Sequence, residues 1–134
     1  MTMAEPNPPA RPLSPHLQIY KPMLTMMMSI MHRITGVALY FGVLLLVWWL
    51  ISAASNDHYF GIVEGFFFHW TGRLLLFGFT WALIHHGLGG LRHLLWDTGR
   101  GFELKVVEWL ARANLAGSIA LTLALWIFAY WVRA

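Results

Sequence analysis

The chain has 134 residues, of which 58% are apolar and 11% are charged, whereas soluble globular domains average roughly 45–50% and about 25%. So few charges could not cover a soluble protein of this size, and we therefore predict an integral membrane protein. The absence of cysteine excludes disulfides, iron–sulfur ligation and zinc–thiolate sites within the chain, and it leaves seven histidines as the good transition-metal ligands. The net charge of +3 comes without a basic patch interleaved with aromatic residues, which excludes nucleic-acid binding.

All six prolines lie in the first 22 residues, which predicts an irregular amino-terminal arm over residues 1–24. Each proline fixes φ, lacks a hydrogen-bond donor and disfavours helical backbone in the residue before it. The arm has neither the apolar stretch of a secretory signal nor the basic amphipathic pattern of a transit peptide. Two interpretations stay open, a disordered tail and an arm that docks on a soluble partner.

Three long uncharged runs follow the arm and predict three transmembrane helices. The first run, residues 34–54, would be about 31 Å long as a helix, enough to span a hydrocarbon core of about 30 Å. The second run covers residues 74–91 and the third covers residues 113–132. Nothing breaks the helix between Thr25 and the first run, so we expect that helix to begin earlier.

These runs predict an all-α fold, with three transmembrane helices in a single anchor domain over residues 25–134. We expect the second helix to extend back into Phe66–Phe68, with the side chain of Arg73 snorkelling to the interface. The predicted spans are residues 29–54, 66–92 and 113–132.

The distribution of lysine and arginine predicts the orientation of the helices. The amino-terminal flank and the loop between the second and third spans together hold seven basic residues, whereas the other side holds only Arg73 and Arg133. We therefore expect the amino terminus in the cytoplasm and the carboxyl terminus in the periplasm of a bacterial inner membrane. A mitochondrial inner membrane, with the amino terminus in the matrix, is the less favoured alternative.

Histidines within the second span need an explanation, because polar groups are costly in hydrocarbon. His86 and His93 share a helix face about 10.5 Å apart along the axis, and Ala82, Gly89 and Gly90 lie beside His86 on that face. Haem iron takes an axial imidazole, and small neighbours leave room for the porphyrin. The alternative is a face of small residues that packs helices together with interhelical hydrogen bonds. The spacing alone leaves both interpretations open.

The other histidines carry less information. His85 lies about 100° around the helix from His86, and we interpret it as an interhelical or lipid-interface residue. His16, His58 and His69 lie outside the spans. The third span has no histidine and the first has none at matching depth, so a second axial ligand would come from another chain.

Ser29 and Arg33 form a second candidate site at the start of the first span. They lie four residues apart, so they share a helix face at the same end of the bundle as His93. A hydroxyl and a guanidinium among flexible apolar side chains would suit a quinone, whose carbonyls need donors. The neighbouring methionines are Met26, Met27, Met28 and Met31. The alternative is that Arg33 is a topology anchor and Ser29 a helix cap.

Two motifs resemble a known family. The stretch RPLSPHLQIY at residues 11–20, followed by SIMHRITG at residues 29–36, resembles the signature of the cytochrome b large membrane-anchor subunit of succinate dehydrogenase. The stretch HGLGGLRHLLWD at residues 86–97 resembles the family's second motif. The three spans and the distance between the motifs also agree with this family.

The resemblance implies roles for five residues. The family's axial haem ligand matches His86, and His32 and His93 match residues around the haem propionates. The family's quinone-contacting serine and arginine match Ser29 and Arg33, with Arg33 near both sites. Because His85 adjoins the matched ligand, the resemblance also keeps His85 as an alternative ligand.

The resemblance further implies partners and a reaction. The anchor pairs with a second small membrane-anchor subunit, shares haem b with it, and docks an iron–sulfur subunit and a flavoprotein subunit. Electrons from succinate would pass to ubiquinone at the junction of the iron–sulfur subunit and both anchors. The chain itself would hold no complete active site and would act only as a subunit of the enzyme.

Three alternatives remain at this point. The first is the anchor of a quinol:fumarate reductase, the same fold run in reverse. The second is a haem-free scaffold that only tethers a soluble complex to the membrane. The third is a small transporter or channel subunit, although its polar residues would then be spread through the bilayer rather than gathered towards one side.

Overall fold

The computed structural model describes residues 20–133, whose regular secondary structure consists of four helices. They are α1 (Leu24–Ser55), α2 (Asp57–Phe68), α3 (Trp70–Asp97) and α4 (Leu104–Arg133). Helices α1, α3 and α4 are long and apolar enough to cross a membrane. The predicted all-α fold with three spans is thus confirmed. Most of the predicted arm, including residues 11–19 of the first motif, lies outside the described residues.

The first and third spans belong to longer helices than the runs of apolar residues indicated. Helix α1 begins at Leu24, as the absence of a breaker after Thr25 led us to expect. Helix α4 begins at Leu104 rather than near residue 113. Its first three turns carry Lys105, Glu108 and Arg112. A surface ion pair between Arg112 and Glu108 (2.5 Å) supports them.

The predicted extension of the second span back through Phe66–Phe68 was wrong. Those residues end α2, and the backbone of His69 is extended (φ −63°, ψ 153°), which separates α2 from α3. The side chain of His69 caps α3 by accepting a hydrogen bond from Thr71 N (3.5 Å). An apolar run cannot reveal such a break, because hydrophobicity continues on both sides of it.

The antiparallel helices α3 and α4 lie side by side, and α1 packs against both. Helix α2 folds back against α1 and α3. It is held by Trp48 Nε1, which donates to Tyr59 Oη (2.8 Å), and by Asn56 Oδ1, which accepts from Tyr59 N (2.9 Å).

The interior of the bundle is built from small and polar residues instead of large apolar ones. Small side chains let helix backbones approach closely, and the large apolar side chains point outward, where lipid would surround them. Several buried hydroxyls are satisfied within their own helix; Thr122, for example, donates to Ser118 O (2.7 Å). The buried small and hydroxyl residues include Thr35, Gly42, Ser52, Gly72, Ala82, Gly89, Ala111, Ser118 and Thr122.

Candidate functional site: a histidine cluster between α1 and α3

Three histidines meet where the first part of α1 faces the last part of α3. The rings of His32 and His86 are stacked, with centroids 3.9 Å apart and planes 7° apart. The ring of His93 lies 5.2 Å from that of His32. The structure therefore brings together the three histidines that the sequence singled out, with His86 and His93 on one face of α3.

The backbone of α1 fixes the orientation of the His86 ring. Nδ1 of His86 lies 3.1 Å from the carbonyl oxygen of His32. Because a carbonyl oxygen can only accept, this bond requires the proton on Nδ1 and leaves the lone pair on Nε2. Among residues 20–133, Nε2 of His86 has no hydrogen-bond partner. A backbone carbonyl on the far nitrogen is the usual way in which proteins orient a metal-binding histidine.

Thr35 completes this arrangement, although the sequence motifs did not single it out as a site residue. Its side chain is 1% exposed. Its hydroxyl lies 2.9 Å from the carbonyl oxygens of both Met31 and His32, and 3.4 Å from Nδ1 of His86. The sequence did indicate a hydrogen bond at Thr35, because a hydroxyl three residues after His32 on a membrane helix must find an acceptor.

The small residues beside His86 divide between the two interpretations that the spacing left open. A Cβ at Gly89 would lie 2.5 Å from Nδ1 of His32, so Gly89 makes room for His32 of the same chain. Gly36 of α1 does the same for His86, whose Cε1 would lie 3.0 Å from a Cβ there. Gly90, one turn after His86, has no described atom within 4 Å of its Cβ position. The small face thus serves helix packing on one side of His86 and is open on the other.

His85 lies on a different face, as the helical wheel predicted. It is fully buried between α3 and α4, and its Nδ1 lies 3.1 Å from the hydroxyl oxygen of Ser118. Trp81 packs beside its ring at 5.1 Å. The interhelical interpretation of His85 therefore fits, and no open side is left through which a prosthetic group could reach its ring.

Ser29 and Arg33 lie on the outward face of α1 and are both exposed. They are one helical turn apart, as predicted, but neither of the two cavities found among residues 20–133 includes them in its lining. Arg33 also lies apart from the histidine cluster, because His32, the preceding residue, points towards α3. A pocket that uses Ser29 and Arg33 must therefore be completed by another surface.

Arg92, next to His93 at the end of the second predicted span, is buried. It is only 6% exposed, and its guanidinium stacks over the ring of Trp96 at 5.0 Å. Its Nε has no hydrogen-bond partner within the part of the chain that the structure describes. A run of apolar residues bounded by arginine looks the same whether that arginine reaches water or turns inward.

The histidine cluster is not a site for a free metal ion. Within residues 20–133, no group of three or more histidine, aspartate and glutamate side chains is arranged to hold one. A cavity of about 530 Å³ lies elsewhere, lined by residues such as Leu45, Phe67 and Trp126, and the predicted site residues take no part in it. The chemistry available at the cluster is therefore that of single imidazoles.

Comparison with known proteins extends the resemblance over most of the chain. Residues 7–128 match the family described as succinate dehydrogenase/fumarate reductase transmembrane subunit. The succinate dehydrogenase cytochrome b556 subunit of Paracoccus denitrificans is 44% identical over 119 residues, 89% of this chain and 92% of that protein. The subunit of the same name from Rickettsia conorii is 41% identical over 117 residues, 87% of this chain and 91% of its own length. The mitochondrial succinate dehydrogenase cytochrome b560 subunit of Mus musculus is 39% identical over 106 residues, 75% of this chain and 60% of its own length.

These matches include both motifs at the histidine cluster, since residues 29–36 and 86–97 fall within the matched region. They favour the membrane anchor over the transporter or channel subunit. The chain belongs to the succinate dehydrogenase/fumarate reductase transmembrane subunit family, as a cytochrome b membrane-anchor subunit of the enzyme complex.

Proposed function

We propose that this chain binds b-type haem through Nε2 of His86 and contributes Ser29 and Arg33 to a ubiquinone-reduction site. In this role it passes electrons from succinate oxidation, carried out by its soluble partners, to quinone in a bacterial inner membrane. The observation that carries the proposal is the hydrogen bond from Nδ1 of His86 to the carbonyl oxygen of His32. It leaves the opposite ring nitrogen as a free ligand in a chain whose relatives are named cytochromes.

Three features of the residues fit a haem at His86. Nε2 carries a lone pair and has no partner among residues 20–133. Gly90 leaves open space one turn along the same helix. His32 and His93 lie beside the ligand and are suited to hydrogen bonds with the propionates. When bound, the haem supplies a one-electron carrier whose potential the ligand and its hydrogen bonds tune.

The second axial ligand is expected from the facing surface of a second small membrane-anchor subunit. Within α1 and α4, the described helices other than α3 that cross the membrane, His32 is the sole histidine, and it stacks flat on His86. Because these two rings lie flat against each other, a porphyrin cannot fit between them with one histidine bound to each of its faces. The haem would therefore be shared between two subunits.

The exposure of Ser29 and Arg33 supports a quinone site at a junction between subunits. A face that is not buried in its own bundle is the face that an iron–sulfur subunit and a second anchor can cover. Ser29 would donate a hydrogen bond to a quinone carbonyl. Arg33 would stabilise negative charge on the quinone oxygen as it is reduced, in a site that the partners shield from water.

The haem proposal is tested by an optical spectrum of the complex purified through a tag on this chain. We expect a b-type α-band in the dithionite-reduced minus oxidised spectrum, and its loss or distortion in His86→Ala. His85→Gln is the matched control, since His85 is the adjacent histidine and points to α4. An unchanged spectrum in His86→Ala, or loss of the α-band only in His85→Gln, would contradict the assignment.

The quinone proposal is tested by comparing two activities of the same complex. We expect Ser29→Ala and Arg33→Leu to reduce succinate:quinone activity while leaving succinate oxidation with a water-soluble artificial acceptor unchanged. Ser55→Ala, an exposed serine at the other end of α1, and Arg100→Leu, an exposed arginine beyond α3, are matched controls. Equal loss of both activities in Ser29→Ala and Arg33→Leu would indicate failed assembly and contradict the proposed role.

A further inference from the structure

Arg92 and Asn114 are two buried polar residues that the proposed function does not use. Each is 6% exposed. Nε of Arg92 and both side-chain polar atoms of Asn114 lack hydrogen-bond partners among residues 20–133. Leaving one buried donor or acceptor unsatisfied costs about 1–3 kcal/mol, and more for a charged group. Two such residues in one groove indicate a missing partner.

Both residues line one groove between α3 and α4. Its volume is about 360 Å³. The rest of the lining is apolar and includes Leu88 and Leu95 of α3 and Leu110 and Leu121 of α4. The groove therefore combines one cationic and amide-bearing patch with a run of leucine side chains, which is the pattern of an amphipathic ligand.

The missing partner of Arg92 is an anion. The one ion pair between described residues joins Arg112 to Glu108, so no carboxylate of α1–α4 neutralises Arg92. Trp96 covers one face of the guanidinium. Stacking of this kind leaves the N–H groups at the edge of the guanidinium available, and their fork geometry matches the oxygens of a phosphate or carboxylate.

The haem propionates do not account for the groove, because Asn114 of α4 lines it and lies outside the histidine cluster, although Trp96, on which Arg92 stacks, also contacts His93. Arg92 lies six residues after His86, about 120° away around the helix. The histidine cluster faces α1, whereas the groove opens between α3 and α4. The proposed quinone site lies on the outward face of α1, so it does not account for Arg92 either.

We propose that this groove binds a phospholipid, with its phosphate on Arg92 and Asn114 and an acyl chain along the leucines. The depth supports this occupant. Arg92 lies five residues, about 7.5 Å, before the end of α3, beside the end that carries Arg100, Lys105 and Arg112. This is the level at which a lipid phosphate meets the hydrocarbon. The lipid would thereby neutralise the buried cation and seal α3 against α4.

The test measures lipid retained by the whole complex, purified in detergent through a tag on this chain. After extensive washing, native mass spectrometry counts the phospholipids that remain bound. We expect bound phospholipid in the wild type, and affinity for added phosphatidylglycerol lower by about tenfold or more in Arg92→Met and Asn114→Leu, because each loses a buried polar contact with the phosphate. Arg112→Met is the matched control, since it removes a charge from the same end of α4 but lies outside the groove.

One further measurement identifies the source of the anion, and two alternative variants replace Arg92→Met if it does not fold. Phosphatidylglycerol should raise the unfolding temperature of the delipidated wild type in a saturable way, whereas inorganic phosphate at the same concentration should not. If Arg92→Met does not assemble, Arg92→Lys and Asn114→Leu decide the outcome. Equal lipid retention in Arg92→Met and Arg112→Met, stabilisation by phosphate alone, or a quinone or a partner's carboxylate found at Arg92 would overturn the proposal.

Discussion

Replacing Gly89 with alanine should push His32 away from α3 and destabilise the histidine cluster. A Cβ at this position would lie 2.5 Å from Nδ1 and 3.0 Å from Cε1 of His32. Carbon contacts are normally at least about 3.5 Å, so the ring must retreat by about 1 Å. It cannot do so freely, because the ring of His86 is stacked on it at 3.9 Å. Overpacking of this kind costs about 1–3 kcal/mol.

The magnitude is best measured against Gly78→Ala. Both glycines lie inside α3, and alanine gains about 1 kcal/mol over glycine in a helix interior. No described atom lies within 4 Å of a Cβ at Gly78, so this variant carries the helix gain without the clash. The difference in stability between the two variants therefore isolates the overpacking, with an expected value of about 1–3 kcal/mol.

The assay is thermal unfolding of the detergent-solubilised complex, followed by tryptophan fluorescence. Gly89→Ala should unfold at a lower temperature than Gly78→Ala. Displacement of His32 should also disturb its carbonyl bond to His86, so the haem band should shift only in Gly89→Ala. If the free energies of unfolding of the two variants differ by less than about half a kcal/mol and both haem spectra are unchanged, the close packing of His32 against Gly89 is refuted.

Three further changes probe other contacts. His85→Leu should lower stability by only about 0.6 kcal/mol and by no more than about 1.7 kcal/mol, the average and the maximum for interhelical hydrogen bonds in membranes. It should retain the haem band; loss of the band would make His85 the ligand. Asn56→Ala removes the cap of α2, and it should increase hydrogen exchange in that helix by an amount equivalent to about 0.5–2 kcal/mol while leaving α3 unchanged. Tyr59→Phe removes the acceptor of Trp48 Nε1 and should cost about 0.5–1.5 kcal/mol, visible as a change in tryptophan fluorescence; no change would mean that this bond does not form.

The sequence predicted the parts of this fold that depend on helix periodicity and on hydrophobicity. His86 and His93 share a face of α3, and His85 points elsewhere, because an uninterrupted helix fixes those angles. The three spans were equally predictable, since a membrane demands a minimum apolar length. Ser29 and Arg33 were predicted to share a face and do so, for the same reason.

What the sequence could not predict depends on how the helices pack together. The spacing left Gly89 open between a haem surface and a packing face; it accommodates His32 of the facing helix, and only the relative rotation of α1 and α3 determines this. The burial of Arg92 at the end of an apolar run was equally unpredictable, because the sequence does not tell whether such an arginine reaches water or turns inward. The break at His69 was missed because extended backbone at a single residue leaves no mark in an apolar run.

Burial of a polar group does not identify a functional residue in this molecule, because polar and small residues fill much of its interior. Thr122 and Ser118 are as deeply buried as any residue, yet both hydroxyls donate to carbonyl oxygens within α4. Ser118 also contacts His85, and both residues contribute to helix packing. The informative residues are those whose bonding is incomplete within residues 20–133, either because an oriented nitrogen is left free or because a buried group lacks a partner. His86 meets the first condition, and Arg92 with Asn114 meets the second. Nδ1 of His32 and Nε2 of His85, on either side of the proposed ligand, are also buried without a partner. We therefore expect these residues, rather than the satisfied hydroxyls, to respond when haem or lipid is removed.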